Sequence, residues 1–518
     1  MEISMKVHEA ISAPPRSYIS NGPAPADTQL KLRNALAPSD PKGLIDALYN
    51  VSTPGSSSYG QHLSKEEVEK VVAPTAQASG AVNAWLSQAG VNATPISPTG
   101  DWLSITVPVS QANELFDADF AVHTHSETGK QTVRTMSYSI PSELAGHIDL
   151  VHPTITFPSS ISLRPVVSTP SGPERSGIAP LASCSTSAIT PACVQSLYGI
   201  PATKATQSSN QLGVSGFIEQ FASQADLTTF LNTSRPDLKG ATFALQTLDG
   251  GSNPQSGSEA GIEANLDIQY TVGVASGVPV TFISVGENFN DSDLGGFLDI
   301  VNFLLGESNP PQVLTTSYDS NENEISRSLA NNLCNAYAQL GARGTSILFA
   351  SGDGGVSGSQ PQSCSEFVPT FPSGCPFMTS VGATQLTSSS GGETAASFSS
   401  GGFSNYFGTP SYQTAALDEQ RPVQRLGTCV PGCRSDRGER RDRRERPGRD
   451  GGRHELCKPH LREHDRAYPS VKLQVIFLDF SLLPSFRPYF VFCARSFLPS
   501  FLAFLAAWVT WRKMLCIT

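Results

Sequence analysis

Between Cys184 and Leu417 the sequence alternates short, continuous apolar runs with stretches of helical periodicity, and this alternation restricts the fold more than any other feature. "VPVTFISVG", "QVLTTSY" and "SILFASG" place apolar residues at successive positions, as strands buried on both faces do. Between the last two lies a predicted helix marked by Ile325, Leu329, Leu333 and Leu340. Strand, helix and strand in repetition imply an α/β fold with a doubly wound parallel sheet over residues 184–417.

The flanking regions obey other rules. Residues 1–160 read as a smaller α+β unit. "DWLSITVPV" sets Leu103, Ile105 and Val107 on one face of a strand, and "HLSKEEV" opens a helix, with Ser64 and Glu67 as a capping box and Leu63 and Val68 as a hydrophobic staple. Residues 161–183 are rich in Ser, Pro and Gly and read as an exposed linker. After Leu417 the pattern breaks. Ser435 to Arg453 is a dense Arg/Asp/Glu/Gly run, and the aromatic segments after it keep neither period. The last apolar run, Phe497 to Trp511, contains Pro499 and falls short of the roughly 20 residues of a spanning helix, so a membrane partner is not expected.

Hydrophobic residues make up 39% of the chain and charged residues 15%, a globular rather than a disordered composition. A net charge of −10 argues against nucleic acid as a partner and suits a protein that works in acid. Asn50, Asn92, Asn232 and Asn290 each head an N-glycosylation triplet. With few lysines and several cysteines, they favour a secreted, extracellular glycoprotein. Met1 to Arg16 contains no apolar core, so the expectation includes a signal peptide missing or truncated in this chain.

Two acidic features bear on chemistry. Glu263 and Asp267 stand four residues apart in a helical stretch, one turn apart on one face. Alone, such a pair is a solvated acidic stripe. Asp353 follows a buried strand in "SILFASGDGG", where clefts form in open parallel sheets. Alone, it is a turn aspartate.

Together with their surroundings these residues carry a resemblance. "EANLDIQY", "FASGDGG", "FVPTFPSGCPFMTSVGAT" and "SGGFSNYFGTPSYQ" follow one another as in the sedolisin family of serine-carboxyl peptidases, most closely its fungal secreted tripeptidyl-peptidase branch. "SSSYGQHLSKEEV" and "DWLSITVPVSQANELFDADF" resemble the family's activation propeptide. The resemblance implies a subtilisin-like sheet, incomplete at its C-terminal end here, behind a ferredoxin-like prodomain that inhibits its own peptidase. It implies peptide or protein substrates and a Ser-Glu-Asp triad, with Glu263 as general base and Asp267 orienting it. Asp353 would polarise the scissile carbonyl. Carboxylate bases serve only in acid, so an optimum between about pH 3 and 5 follows. The prodomain is expected to bind at neutral pH and release in acid as groups including His62, His123 and His125 change charge.

The chain departs from the family in several places. The nucleophile's Ser-Gly-Thr-Ser-Ala-type motif is missing. Gly344-Thr345-Ser346 is a decoy, because Ser346 opens the strand that leads to Asp353. The family binds calcium through a terminal Asp pair and a Gly-rich acidic loop, and neither has a counterpart. Asp319 stands where relatives usually carry Gly. In residues 418–518 only "RAYPSV" (Arg466 to Val471) resembles the family again. A frameshift, a brief recovery and then a translated intron would give this pattern, and a genuine divergent tail is the alternative. Cys184 is expected to pair with Cys193, and Cys334 with Cys375, which leaves Cys364 to a partner from the missing segment. The alternative functions are a catalytically inactive pseudo-peptidase or protein-binding fragment, and a membrane-anchored fragment.

Overall fold

The computed structural model describes residues 4–126, 128–157, 184, 189–256, 259–287, 293–359, 367–387, 392–417 and 429–430. The linker, Asn290, Cys364 and nearly all of the tail lie outside these residues.

The N-terminal unit is built on an antiparallel sheet. Its order is Thr94–Pro95, β2 (Trp102–Pro108), β1 (Gln29–Leu36) and β3 (Ile148–His152). Side chains alternate across a strand, and here the two faces have different destinations. Leu30, Leu32 and Leu36 of β1 join Leu103, Ile105 and Val107 of β2 in a core closed by the helices Ala76–Gln88 and Val109–Phe116. The opposite face carries Arg33, Ala35 and Trp102. Helix α1 spans Pro41–Ser52, and α2 (Lys65–Val72) begins at Ser64 with the full capping box. Leu63 and Val68 pack in one apolar cluster, as the staple requires.

The second unit carries a six-stranded sheet, every neighbouring pair parallel. Its strands are β4 (Leu212–Gly216), β5 (Ala244–Leu248), β6 (Val280–Val285), β7 (Val313–Thr316), β8 (Ser346–Ala350) and β9 (Thr379–Val381), in the order β5-β6-β4-β7-β8-β9. The apolar runs read as strands become β6, β7 and β8. Helix α3 (Ile262–Val274) precedes β6, α4 (Asp293–Gly306) precedes β7, and α5 (Arg327–Ala342) precedes β8. Ile325, read as part of the last helix, is buried just before it. Ser326 instead caps α5 by accepting a bond from the Leu329 N–H. Disulfides join Cys184 to Cys193 and Cys334 to Cys375.

The two units share apolar interior. One cluster joins Ala35, Trp102 and Leu150 to Phe297, Val301 and Leu304 of α4. Another joins Leu44, Leu48, Val68 and Val72 of α1 and α2 to Ala338 and Ala342 of α5. The Leu63 N–H donates to the Ala342 carbonyl at 2.9 Å, satisfying a carbonyl at the end of α5. Lys65 likewise donates to the Gly306 carbonyl at the end of α4.

Candidate active site

Helix α3 carries two of the acidic candidates. Its N-cap, Gly261, offers no side-chain acceptor, and the Glu263 N–H is met by the Gln220 side chain at 3.2 Å. Its far end is better closed. Arg235 donates to the Gly273 carbonyl and Gln195 to the Val274 carbonyl, placing a cation at the negative end of the helix dipole. Behind α3 lies the helix Pro191–Tyr198, stapled by Cys184–Cys193. A Cβ at Gly273 would come within 2.8 Å of Pro191, so only glycine permits this approach.

Glu263 and Asp267 are not a solvated stripe: they are 3% and 5% exposed. The Ser317 hydroxyl donates to Asp267 Oδ1 at 2.8 Å, across 50 residues of sequence. Ser317 directly follows β7. Thr316 of β7 pairs with Phe349 of β8, and three residues past the end of β8 stands Asp353, 4% exposed. The serine that holds Asp267 and the loop that bears Asp353 therefore leave adjacent strands at the same edge of the sheet, the carboxyl edge where α/β clefts lie.

The Asp353 loop is tightly bonded. Its N–H donates to the Ser359 carbonyl, the Gly354 N–H to Ser400 Oγ, and the Ser400 N–H back to the Gly352 carbonyl. Asn321 Oδ1 accepts from the Ser359 N–H at 2.8 Å. Gly352 has φ +98°, and a Cβ there would stand 2.6 Å from the Asp319 carboxylate. Asp319, noted in the sequence only as a departure, is thus a buried acid against the backbone beside Asp353. Glu322, equally buried, accepts from Ser404 Oγ and the Asn405 N–H, and burial raises its pKa. Nothing in the sequence signalled Ser317, Gln220 or Ser400, because their partners lie 43 to 50 residues away.

Ser346 begins β8 and Asp353 follows its other end, which puts a strand's length of about 16 Å between them. Among the described residues, no three His, Cys, Asp or Glu side chains assemble into a metal site. Asn50, Asn92 and Asn232 are exposed. Of the three histidines, His62 meets the other unit: a Cβ on Gly344 would touch its ring. His123 packs on Phe157, and His125 on Tyr18, inside the N-terminal unit. Among the described residues no helix is long and apolar enough to cross a membrane.

The buried carboxylates of α3 and the bonded loop that carries Asp353 thus belong to the unit that follows the N-terminal one. Residues 17–157 match the Pro-kumamolisin activation domain. The chain is 34% identical over 438 residues to a probable tripeptidyl-peptidase SED2 of Trichophyton verrucosum, covering 80% of this chain and 72% of that protein. It is 33% identical to tripeptidyl-peptidase SED2 of Arthroderma otae, with the same coverage. To a probable tripeptidyl-peptidase SED3 of Trichophyton verrucosum it is 32% identical, with 83% and 75% covered. A solved Pseudomonas sedolisin, described as a serine-carboxyl proteinase, aligns at a TM-score of 0.36 and 22% identity over 46% of this chain and 68% of that one, too low a score to argue from. The chain belongs to the sedolisin family of tripeptidyl-peptidase-like proteins. It carries that family's activation domain ahead of its peptidase fold.

Proposed function

We propose that the cleft is that of a secreted serine-type peptidase of acidic pH, made as a zymogen. Glu263 takes the proton of a serine nucleophile, Asp267 orients and charges Glu263, and Asp353 donates a hydrogen bond to the carbonyl oxygen as it gains charge. The observation that carries this reading is the shared strand edge. Asp267 is held through Ser317 at the end of β7, and Asp353 stands beyond the end of the neighbouring β8.

The chemistry supports it. A carboxylate is a poised base only in acid. Two carboxyls one turn apart titrate as a coupled pair. An aspartic acid that keeps its proton can stabilise an oxyanion, an effect worth about 10²–10³ in rate for one donor. The substrates are peptides or proteins. The relatives' names point to removal of N-terminal tripeptides, with internal cleavage as the competing mode. Glycans on the exposed Asn50, Asn92 and Asn232 would accompany export.

A second reading applies to the chain as written. No Ser-Gly-Thr-Ser-Ala run occurs in its 518 residues, which favours a catalytically silent pseudo-peptidase that keeps prodomain and cleft. Incubating the 518-residue protein with a fluorogenic tripeptidyl amide at pH 4 separates the two. Turnover should be absent, because loss of the nucleophile costs on the order of 10⁶ in a subtilisin-type site. Measurable turnover, with a serine-directed phosphonate attached to one serine, would sink the silent reading and identify another nucleophile. A Gly-Thr-Ser-Ala codon run in another frame of the genomic DNA downstream of codon 417 would restore the enzyme.

A further inference from the structure

One buried ion pair crosses between the units. Arg33, on the outward face of β1, donates to Asp299 Oδ2 of α4 at 2.7 Å, and the two side chains are 4% and 16% exposed. Lys42–Asp46, Lys65–Glu69 and Arg235–Asp237, by contrast, each pair within one unit. The ground beside Arg33 is apolar. Two residues along the same face of β1 stands Ala35, in register with Trp102 of β2 and Leu150 of β3. These three pack with Phe297, Val301 and Leu304 of α4 in one cluster. Asp299 therefore meets the prodomain at a guanidinium set against a dry patch. Lys31, the next cation on that face of β1, is exposed. Asp249, which follows β5, is a second acid that feels the charge of Arg33 and Lys31, so the acidic side of the contact depends on cations that the prodomain brings.

A buried ion pair adds little net stability over apolar residues of similar size, because desolvation offsets the attraction. Removing one partner is costly all the same, because the other stays charged and buried. Such a pair works less as glue than as a filter, admitting a partner of matching charge and rejecting one without it.

We propose that the outward face of α4 is a recognition surface that selects its prodomain by charge, with Arg33 as the selecting residue. The partner it fits is a sheet face that offers a guanidinium two residues from an alanine flanked by tryptophan and leucine. A prodomain with an apolar or acidic residue in place of Arg33 would still match the apolar patch, but would leave Asp299 buried without its cation and be rejected. The selection concerns the docking of two units and not catalysis, so its failure leaves the catalytic reading untouched.

The full chain carries its own reporters. Trp102 lies in the shared cluster and Trp85 in the prodomain's own core. With fluorotryptophan incorporated, fluorine NMR in rising urea reads undocking from Trp102 and unfolding of the prodomain from Trp85, each resonance assigned by a Trp→Phe change. Arg33→Met should raise the equilibrium constant for exposing Trp102 by about 10²- to 10³-fold, the cost of a buried charge left alone. Asp299→Leu should raise it less, because Arg33 still faces Asp249. The double variant Arg33→Met/Asp299→Leu, apolar on both sides, should return to within about tenfold of wild type. If Trp102 and Trp85 move together, the common transition carries the same comparison. An Arg33→Met chain as tight as wild type, or a double variant as loose as Arg33→Met, overturns the proposal. Should Arg33→Met fail to fold, the double variant decides: a folded chain with Trp102 buried is expected, and an unfolded one overturns the selection by charge.

Discussion

The two sheets of this protein bury their side chains by different rules. In the antiparallel sheet of the prodomain, adjacent positions go to different interiors: Leu32 to its own core, Arg33 to the ion pair with Asp299, Ala35 to the apolar cluster shared with α4. In the parallel sheet of the peptidase unit both faces lie under helices of the same unit. Val214 and Phe282 fall in one cluster, Ile283 and Leu314 in the other. One sheet is half an interface and the other is wholly a core. Strand ends of the second sheet are thereby free to build a cleft, while the outward face of the first is committed to holding its partner.

The sharpest way to break that contrast is to remove one large side chain from each sheet. Trp102→Ala and Phe282→Ala should each cost about 3–5 kcal/mol, as expected for a large buried aromatic, but at different places. Trp102 is 3% exposed and faces α4, so its loss should free the prodomain while that unit's own core stays protected from hydrogen exchange. Phe282 is fully buried, with its ring over Gly216 of the neighbouring strand. Its loss should expose the β4 and β6 amides and leave β1 and β2 protected. If both variants lose protection in both sheets together, the units form one cooperative block and the contrast fails.

The sequence reveals the parallel sheet more fully than the interface, for a physical reason. Strands buried on both faces write that burial as continuous apolar runs, so β6, β7 and β8 and the helix between the last two are legible. The capping box at Ser64 is equally local. An alternating strand such as β2 shows that its faces differ but not what covers the second one. Trp102 could as well have faced solvent, and the partner of Arg33 lies 266 residues away. The acidic pair and Asp353 stand out only through the family resemblance of the segments around them, since spacing alone reads as a solvated stripe and a turn aspartate. Ser317, which holds Asp267, and the contact of Asp319 with Gly352 do not stand out at all, because both depend on how strand ends meet in space.

Two changes within the peptidase unit sharpen its description as a core. Reducing or deleting Cys334–Cys375, which closes 41 residues between α5 and the segment before β9, should cost up to about 4 kcal/mol by loop-closure entropy. Thermal unfolding of a Cys334→Ala/Cys375→Ala variant measures it. No loss would mean that packing around α5 already fixes that segment. Gly352→Ala should cost about 1–3 kcal/mol, from a strained left-handed backbone and a Cβ driven against Asp319. Denaturant melts of Gly352→Ala alone and with Asp319→Gly separate the two terms, since removing the carboxylate relieves the clash but not the strain. Equal losses in both backgrounds would mean that Asp319 yields freely.

The smallest expected effect lies on the prodomain side, at Ser64. Its hydroxyl accepts from the Glu67 N–H at 3.2 Å, and the Glu67 carboxylate accepts from the Ser64 N–H at 2.7 Å, so two donors at the start of α2 are met reciprocally. Ser64→Ala removes one of these bonds and should cost about 1 kcal/mol. The site also stands at the seam. Leu63 bonds the Ala342 carbonyl, Lys65 reaches the Gly306 carbonyl, and Val68 and Val72 pack on α5. If α2 belongs energetically to the interface, the loss in Ser64→Ala appears as weaker protection of the last turn of α5 as well as of α2. If α2 belongs to the prodomain alone, α5 is unaffected and the prodomain bears the whole loss. The shared cluster of Val68, Val72, Ala338 and Ala342 favours the first outcome, because apolar side chains that bury one another lose their cover together. An unchanged α5 would confine the interface to the sheet face of Arg33 and Trp102.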